Sequence, residues 1–376
     1  MSRVLYALMI SIFLSSCTSN STSDLLQKND PEATLQLKWN KAYPDDSLDK
    51  STIGLTWALS FVGAILPSSP YGIKSNGDMI VINLNELGFE KSALGKLQLL
   101  HQKIKLSNEY QTTNAIDLGR YVALLIGASE HYYEIVGIPR KLDDLLAHYA
   151  LLPQKGYVNN SGVSLEHRII QFSEQNNLNQ VFLSAETDPI TGETYEFETI
   201  EIMPNGQIRF GIFDVNGNRK NNADPAHSNA GKPAKCMWCH ESTIQRLYTV
   251  QEDFLGYLTS YELQNQLVDF NQMLQNKKYA LPGGVDFTQT QQHTETELLY
   301  ISFMEPSAQR LSAEWQMPVS QVQNLLSDLP THIYPEFPFL GNLYDRNAIE
   351  NRAPFLGLSV STKVREASEN EVNHLN

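Results

Sequence analysis

Between Glu90 and Leu152 the apolar residues fall at helical spacing. Leu94, Leu97, Leu99 and Leu100 mark one amphipathic segment, Ile116 to Ile126 a second and Leu142 to Leu151 a third. Ahead of them, Ile53 to Leu66 is an apolar run closed by Pro67; it holds Thr56 and Ser60 and is too short to span a bilayer, so it predicts a buried helix. Asn76-Gly77 turns the chain into Met79 to Ile82, a short strand. Val163 to Gln175 reads as a further helix carrying His167, followed by a strand at Gln180 to Leu183 and a turn at Asp188 to Gly192. The strictest alternation comes next. Tyr195 to Ile202 alternates, Pro204-Asn205-Gly206 turns, and Ile208 to Phe213 returns, which predicts one long hairpin. Helical spacing then resumes through Leu247, Phe254, Leu258, Tyr261, Leu267, Phe270 and Leu274 as far as Pro282-Gly283-Gly284, with further helices at Glu295 to Trp315 and Val319 to Leu329. The fold class expected is α+β, mainly helical, with a central β-hairpin.

That hairpin leads to Cys236-Met237-Trp238-Cys239-His240. Random shuffling of this composition would give C-x-x-C-H roughly four times in ten thousand, so the pattern calls for a chemical reason. Two thiols three positions apart on one helical turn can each add to a vinyl group of one porphyrin, and the adjoining imidazole can ligate its iron. Other chemistries use the same residue types. His227 with Cys236, Cys239 and His240 offers four ligands of the kinds zinc prefers, and Cys236 with Cys239 is a dithiol spacing. The loop before the motif carries Arg219, Lys220, Lys232 and Lys235, either as solvated charge or as partners for haem propionates.

The start of the chain bears on the choice. Arg3 followed by the apolar run Val4 to Leu14 has the form of a secretory signal, and Leu14-Ser15-Ser16-Cys17 ends it. Residues Thr18 to about Ala33 are small and polar, as a flexible tether would be. If Cys17 is taken up by lipid, the two cysteines left are those of the motif.

With 28 Lys and Arg against 42 Asp and Glu, the chain has a net charge of −14, which provides no footprint for nucleic acid and would favour a basic protein partner. H-E-x-x-H, G-x-S-x-G, a P-loop and G-x-G-x-x-G are all missing, and with them the motif grounds for a protease, esterase or nucleotide enzyme.

Cys236, Cys239 and His240 resemble the attachment site of c-type cytochromes, and Leu14 to Cys17 resembles the lipobox of bacterial lipoproteins. The first resemblance implies one covalent haem c, with His240 as proximal iron ligand. It also implies a distal ligand later in the chain, for which Met317-Pro318 is the nearest match in form, ahead of Met273, Met304 and His293. The second implies acylation of Cys17 and anchoring in the cell envelope, with Thr18 pointing to the outer membrane. The expected layout is a signal peptide at 1–16, a tether at 17–34, a mainly helical region at 35–190, and the hairpin with the haem-binding helices at 191–376, these last two being separate or continuous. The function expected is single-electron transfer to an unidentified redox partner protein. Alternatives are a haem enzyme whose open distal position reacts with peroxide or a small gas, and a non-enzymatic lipoprotein with a Cys/His zinc site.

Overall fold

The computed structural model describes residues 31–67, 72–175, 177–244, 248–281, 285–288, 292–367 and 371–375. The expected leader, Cys17, most of the tether, Leu247 and Pro282-Gly283-Gly284 lie outside them. The last part of the expected tether is a 3₁₀ turn, Pro31–Ala33, leading directly into β1 (Thr34–Lys38), whose Leu35 and Leu37 are buried.

After β1, Ser47 caps α1 (Leu48–Phe61), accepting a hydrogen bond from the Lys50 amide, and β2 (Ile73–Asn76) and β3 (Met79–Asn83) make a hairpin. Two helices follow, α2 (Lys91–Leu106) and α3 (Asn108–Thr113). The segment expected as one helix from Ile116 is broken up. Ile116–Asp117 is a short strand, β4, and Asp117 caps α4 (Leu118–Val122), which runs into a π-helical turn at Ala123–Gly127 before α5 (Ser129–Val136). The third expected segment is helical only over α6 (Leu142–Leu146). The first sheet has the order β2-β3-β1-β4, with only β1 and β4 parallel.

The second sheet is a five-stranded antiparallel meander of β5 (Gly156–Val158), β6 (His167–Phe172), β7 (Val181–Thr187), β8 (Thr194–Ile202) and β9 (Ile208–Asp214). The helix expected over Val163 to Gln175 is therefore strand β6. Arg168, Ile170 and Phe172 pair across β7 with Glu186, Ser184 and Phe182, a period of two that pairing rewards and a helix would scramble. The two strands expected to form a lone hairpin are the last two of this sheet, and the expected boundary at 190/191 falls in the turn between paired strands β7 and β8. Glu32–Asn376 forms one compact unit.

α7 (Pro233–His240) carries the C-x-x-C-H sequence. The helix expected straight after it begins only at α8 (Ser260–Tyr279) because Thr259 and Glu262 form a capping box there. The single helix expected from Glu295 is α9 (Gln292–Met304) and α10 (Ala308–Trp315), parted at Pro306 and restarted by a Ser307 cap. α11 (Val319–Leu325) and the short α12 (Arg346–Ile349) contribute Val322 and Ile349 to a small second core. α9 packs on α1, α4 and α7 and ties the motif helix into the main core. No described helix is long and apolar enough to cross a membrane.

Candidate cofactor site

α7 starts where it does for local reasons. Pro233 occupies the first turn, where a missing amide hydrogen costs nothing, and Lys232 before it is extended. Gly231 turns the chain at φ +67°, and a Cβ there would stand 2.6 Å from the Arg365 carbonyl oxygen. Ala234, Met237 and Trp238 face the core and are buried, leaving Cys236, Cys239 and His240 at intermediate exposure. The helix stops after His240 because Glu241 takes φ +55°, ψ −102°, its amide closing on the Met237 carbonyl at 2.8 Å.

Between α7 and one face of the β5–β9 sheet lies a cavity into which Cys236 and His240 both project. The sheet supplies Ile170, Phe182, Ile200, Phe210 and Ile212, and the polar end of the same face supplies Arg168, Ser184 and Glu198. The free volume out to the mouth is about 820 Å³, within which the centre of a water molecule has about 110 Å³ to move. Cofactor and ligand sites commonly span ~300–1,000 Å³. The closed inner part is thus small, and the bulk of a large cofactor would occupy the open part. A roomier opening near the β8–β9 turn, with about 670 Å³ for water centres, is lined by Tyr149 and Arg209, whose polar atoms turn inward to Glu201.

His240 is the chemically conspicuous group. Its Nδ1 is buried and has no hydrogen-bond partner among the described residues, and its ring lies 5.7 Å from that of Phe210. Burial, helped by the nearby Arg168 guanidinium, pushes its pKa down to about 4, so the ring is neutral, the form that ligates a metal. Burial raises both thiols, Cys236 further through the Glu198 carboxyl. That is the reverse of the depression a redox dithiol uses, and Cys236 and Cys239 are both free thiols.

The expected zinc set does not assemble. His227 stacks on Tyr195 with ring centroids 3.8 Å apart, and its Nδ1 lies 3.1 Å from Glu166 Oε1. Among the described residues no group of three or more His, Cys, Asp or Glu side chains is placed to hold a metal ion. Covalent attachment needs only the two thiols and one imidazole; of these, Cys236 and His240 line the cavity and Cys239 is not among its lining residues.

The expected distal ligands are not brought to the cavity either. Met317 packs against the second core, around Leu311, Trp315 and Val322, because the turn between α10 and α11 folds back on those helices; its carbonyl accepts the Ser312 hydroxyl at 2.6 Å. Met273 is 37% exposed on α8, Met304 is buried in the main core, and His293 Nε2 lies 3.3 Å from Glu241 Oε1. Of the histidines on the N-terminal helices, His131 has both ring nitrogens engaged, with the Leu124 carbonyl at 2.8 Å and the His374 amide at 2.7 Å.

Each cation of the basic loop before α7 already has a partner within the chain, Lys232 and the Arg219 side chain buried and Lys220 and Lys235 partly exposed. Lys232 is fully buried, its Nζ donating to the carbonyls of Gly127 and Lys363, both at 2.6 Å, and to Ser361 Oγ at 3.1 Å. Arg219 pairs with Glu130 at 2.9 Å, Lys220 with Glu196 at 3.0 Å and Lys235 with Glu366 at 3.1 Å.

Sequence reasoning missed Arg168 and Glu198. The alternation of β8 places Glu198 on the face of Ile200, but Arg168 falls in the segment read as a helix, and only the strand register brings the two together. Compared with known protein families, curated proteins and solved structures, the chain matches none of them.

Proposed function

We propose that this chain is a c-type haem protein of the cell envelope, with one haem c held by Cys236 and Cys239 and its iron ligated by His240. The observation that carries the reading is the buried ring of His240, whose Nδ1 has no hydrogen-bond partner among the described residues, lining one cavity with Cys236 on the helix that also presents Cys239. A buried ring nitrogen without a partner costs about 1–3 kcal/mol, and a metal bound by the imidazole offsets that. The β8–β9 hairpin is then the element that precedes the haem-attachment motif and lines the cofactor's pocket.

When bound, haem supplies a one-electron iron couple. The chain's own residues do the rest. Cys236 and Cys239 would hold the haem through thioether bonds, each thiol hydrogen going to the neighbouring vinyl carbon. Ile170, Phe182, Ile200, Phe210 and Ile212 keep water from the site, and His240 supplies a neutral nitrogen. Single-electron transfer to a redox partner protein follows as the function, with Cys17 acylated as the membrane anchor.

Expression in a host with haem-attachment machinery tests the proposal. A denaturing gel stained for covalent haem should show a band for the native chain and a weakened or missing one for Cys236→Ser. No stain in either sample sinks it. Incorporation of labelled fatty acid that disappears with Cys17→Ser would test the anchor separately.

A further inference from the structure

An open groove lies between the loop 42–44 after β1, the start of α10, one face of α11 and the segment 331–344. It shares no residue with the cavity beside α7 and leaves about 440 Å³ for water centres, against about 110 Å³ there. Hydrogen bonds fix its frame. The Tyr344 amide donates to the Pro306 carbonyl at 2.9 Å, His332 and Leu343 exchange backbone bonds at 3.0 and 2.8 Å, and Asp46 Oδ2 accepts the Ala42 amide at 2.8 Å. Two kinds of surface meet there. One is a row of rings, with Tyr43 5.1 Å from Phe339, Phe339 6.0 Å from Phe337 and Phe337 5.7 Å from Tyr334 between centroids. Tyr43 and Phe339 line the groove, and Phe339 is 49% exposed. The other surface is polar and uncharged. Gln309, Gln323, Thr331 and Asn342 line the groove and are exposed, and their side chains make no hydrogen bond to another described residue. No Asp, Glu, Lys, Arg or His is among the described residues that line it, although the chain carries 28 Lys and Arg and 42 Asp and Glu.

From this lining we infer that the groove binds an uncharged oligosaccharide. Charge decides against an ionic ligand, because neither an anion nor a cation finds a counter-charge here to offset the loss of its hydration. A sugar ring matches both surfaces. Its C–H face packs on an aromatic face, and each of its hydroxyls is donor and acceptor at once, as are the carboxamides and the threonine hydroxyl that would meet them. A proline-rich peptide would also pack on the rings. Its backbone, however, offers carbonyl acceptors and few N–H donors, so the amide oxygens of Gln309, Gln323 and Asn342 would lose water without gaining a partner. The groove is separate from the haem cavity, and its occupancy does not depend on haem attachment.

Calorimetric titration of the full chain with maltohexaose, cellohexaose and the hexamer of N-acetylglucosamine tests this, with decaproline as the peptide probe. At least one of the sugars should bind with saturating heat. Phe339→Ala should weaken that binding by roughly tenfold, the scale of one lost ring contact. Asn342→Ala and Gln323→Ala should each weaken it by roughly three- to tenfold, the scale of one hydrogen bond. Both amides are exposed, so these two variants keep the test open if Phe339→Ala fails to fold, and an unchanged circular dichroism spectrum is the check. Absence of heat with all three sugars overturns the inference. Equal sugar affinity in the native chain and the folded variants places the sugar elsewhere and overturns it as well. Decaproline bound more tightly than every sugar, and lost in the same variants, would make this a peptide groove instead.

Discussion

Arg310 Nη2 lies 2.7 Å from each carboxylate oxygen of Asp117, across 193 residues of chain. The pair belongs to a buried network. Glu314 meets Arg310 at 2.6 Å and Arg346 at 2.7 Å, Arg120 meets Glu109 at 2.7 Å, and the Phe303 ring has the Arg346 guanidinium 4.0 Å from its centroid. Asp117 also caps α4, accepting the Arg120 amide at 3.1 Å. Replacing it by Ala leaves the buried Arg310 guanidinium with Glu314 as its one remaining carboxylate partner among the described residues and removes the cap. Asp117→Ala should therefore lower unfolding stability by about 3–5 kcal/mol in urea titrations, and Arg310→Met added to it should recover part of that, since that charge goes as well. A loss of under ~1 kcal/mol would mean that water or a rearranged partner satisfies Arg310.

Gly357 tests the same network sterically. A Cβ there would stand 2.1 Å from Arg120 Cζ, and Arg120 is held in place by Leu358 O at 2.8 Å as well as by its carboxylates. Gly357→Ala should cost about 1–3 kcal/mol through displacement of the guanidinium. Gly95, inside α2 with no atom within 4 Å of a Cβ position, provides the opposite case. Gly95→Ala should raise stability by about 0.5–1 kcal/mol, seen as opposite shifts of the thermal midpoint for the two variants.

Local signals in the sequence carried some of this structure and long-range partners carried the rest. The C-x-x-C-H spacing and the alternation of Tyr195 to Ile202 are readable from neighbours alone. So was the start of α8, for Thr259 and Glu262 spell a capping box that the apolar spacing from Leu247 onward obscured. Leu35 and Leu37 alternate too, but a polar segment just ahead of them hid a strand that pairs with β3. Lys232 reads as loop charge until the π-helical turn brings the Gly127 carbonyl to it from 105 residues earlier. Arg168 reads as helical until β7 pairs with it. In both cases the decisive partner lies far off in sequence, and periodicity says nothing about it.

Lys278 gives the fold a pH dependence of known sign. It is 3% exposed, its Nζ donates to the Ser242 carbonyl and sits 4.4 Å from the Phe287 ring centroid, and burial pushes its pKa down to about 7. Between pH ~7 and ~10.5 the unfolded chain therefore binds more protons at this lysine than the folded one, so its unfavourable contribution is full below pH ~7 and fades as pH rises to ~10.5. Lys278→Met should gain most over the native chain at pH 6 and least at pH 10, measured as the difference in thermal midpoint at each pH. A pH-independent difference would show that the ammonium is not desolvated in the folded state.

Glu241 is where the motif helix stores strain. A residue with a Cβ at φ +55°, ψ −102° sits in a region that glycine populates freely, at a cost of about 1–3 kcal/mol. Its side chain returns little: Glu241 Oε1 lies 3.3 Å from His293 Nε2, but the carboxylate is 44% exposed, and pairs so placed contribute ~0–1 kcal/mol. Relief of strain should therefore outweigh loss of the contact. Glu241→Gly should raise stability by about 1 kcal/mol, whereas Glu241→Ala, which keeps the Cβ and loses the pair, should lower it slightly. Thermal unfolding of the two variants side by side checks this, because a strained backbone separates glycine from alanine while a lost side-chain contact treats them alike. If both variants lose the same amount, the His293 contact and not the backbone decides the energy of this turn.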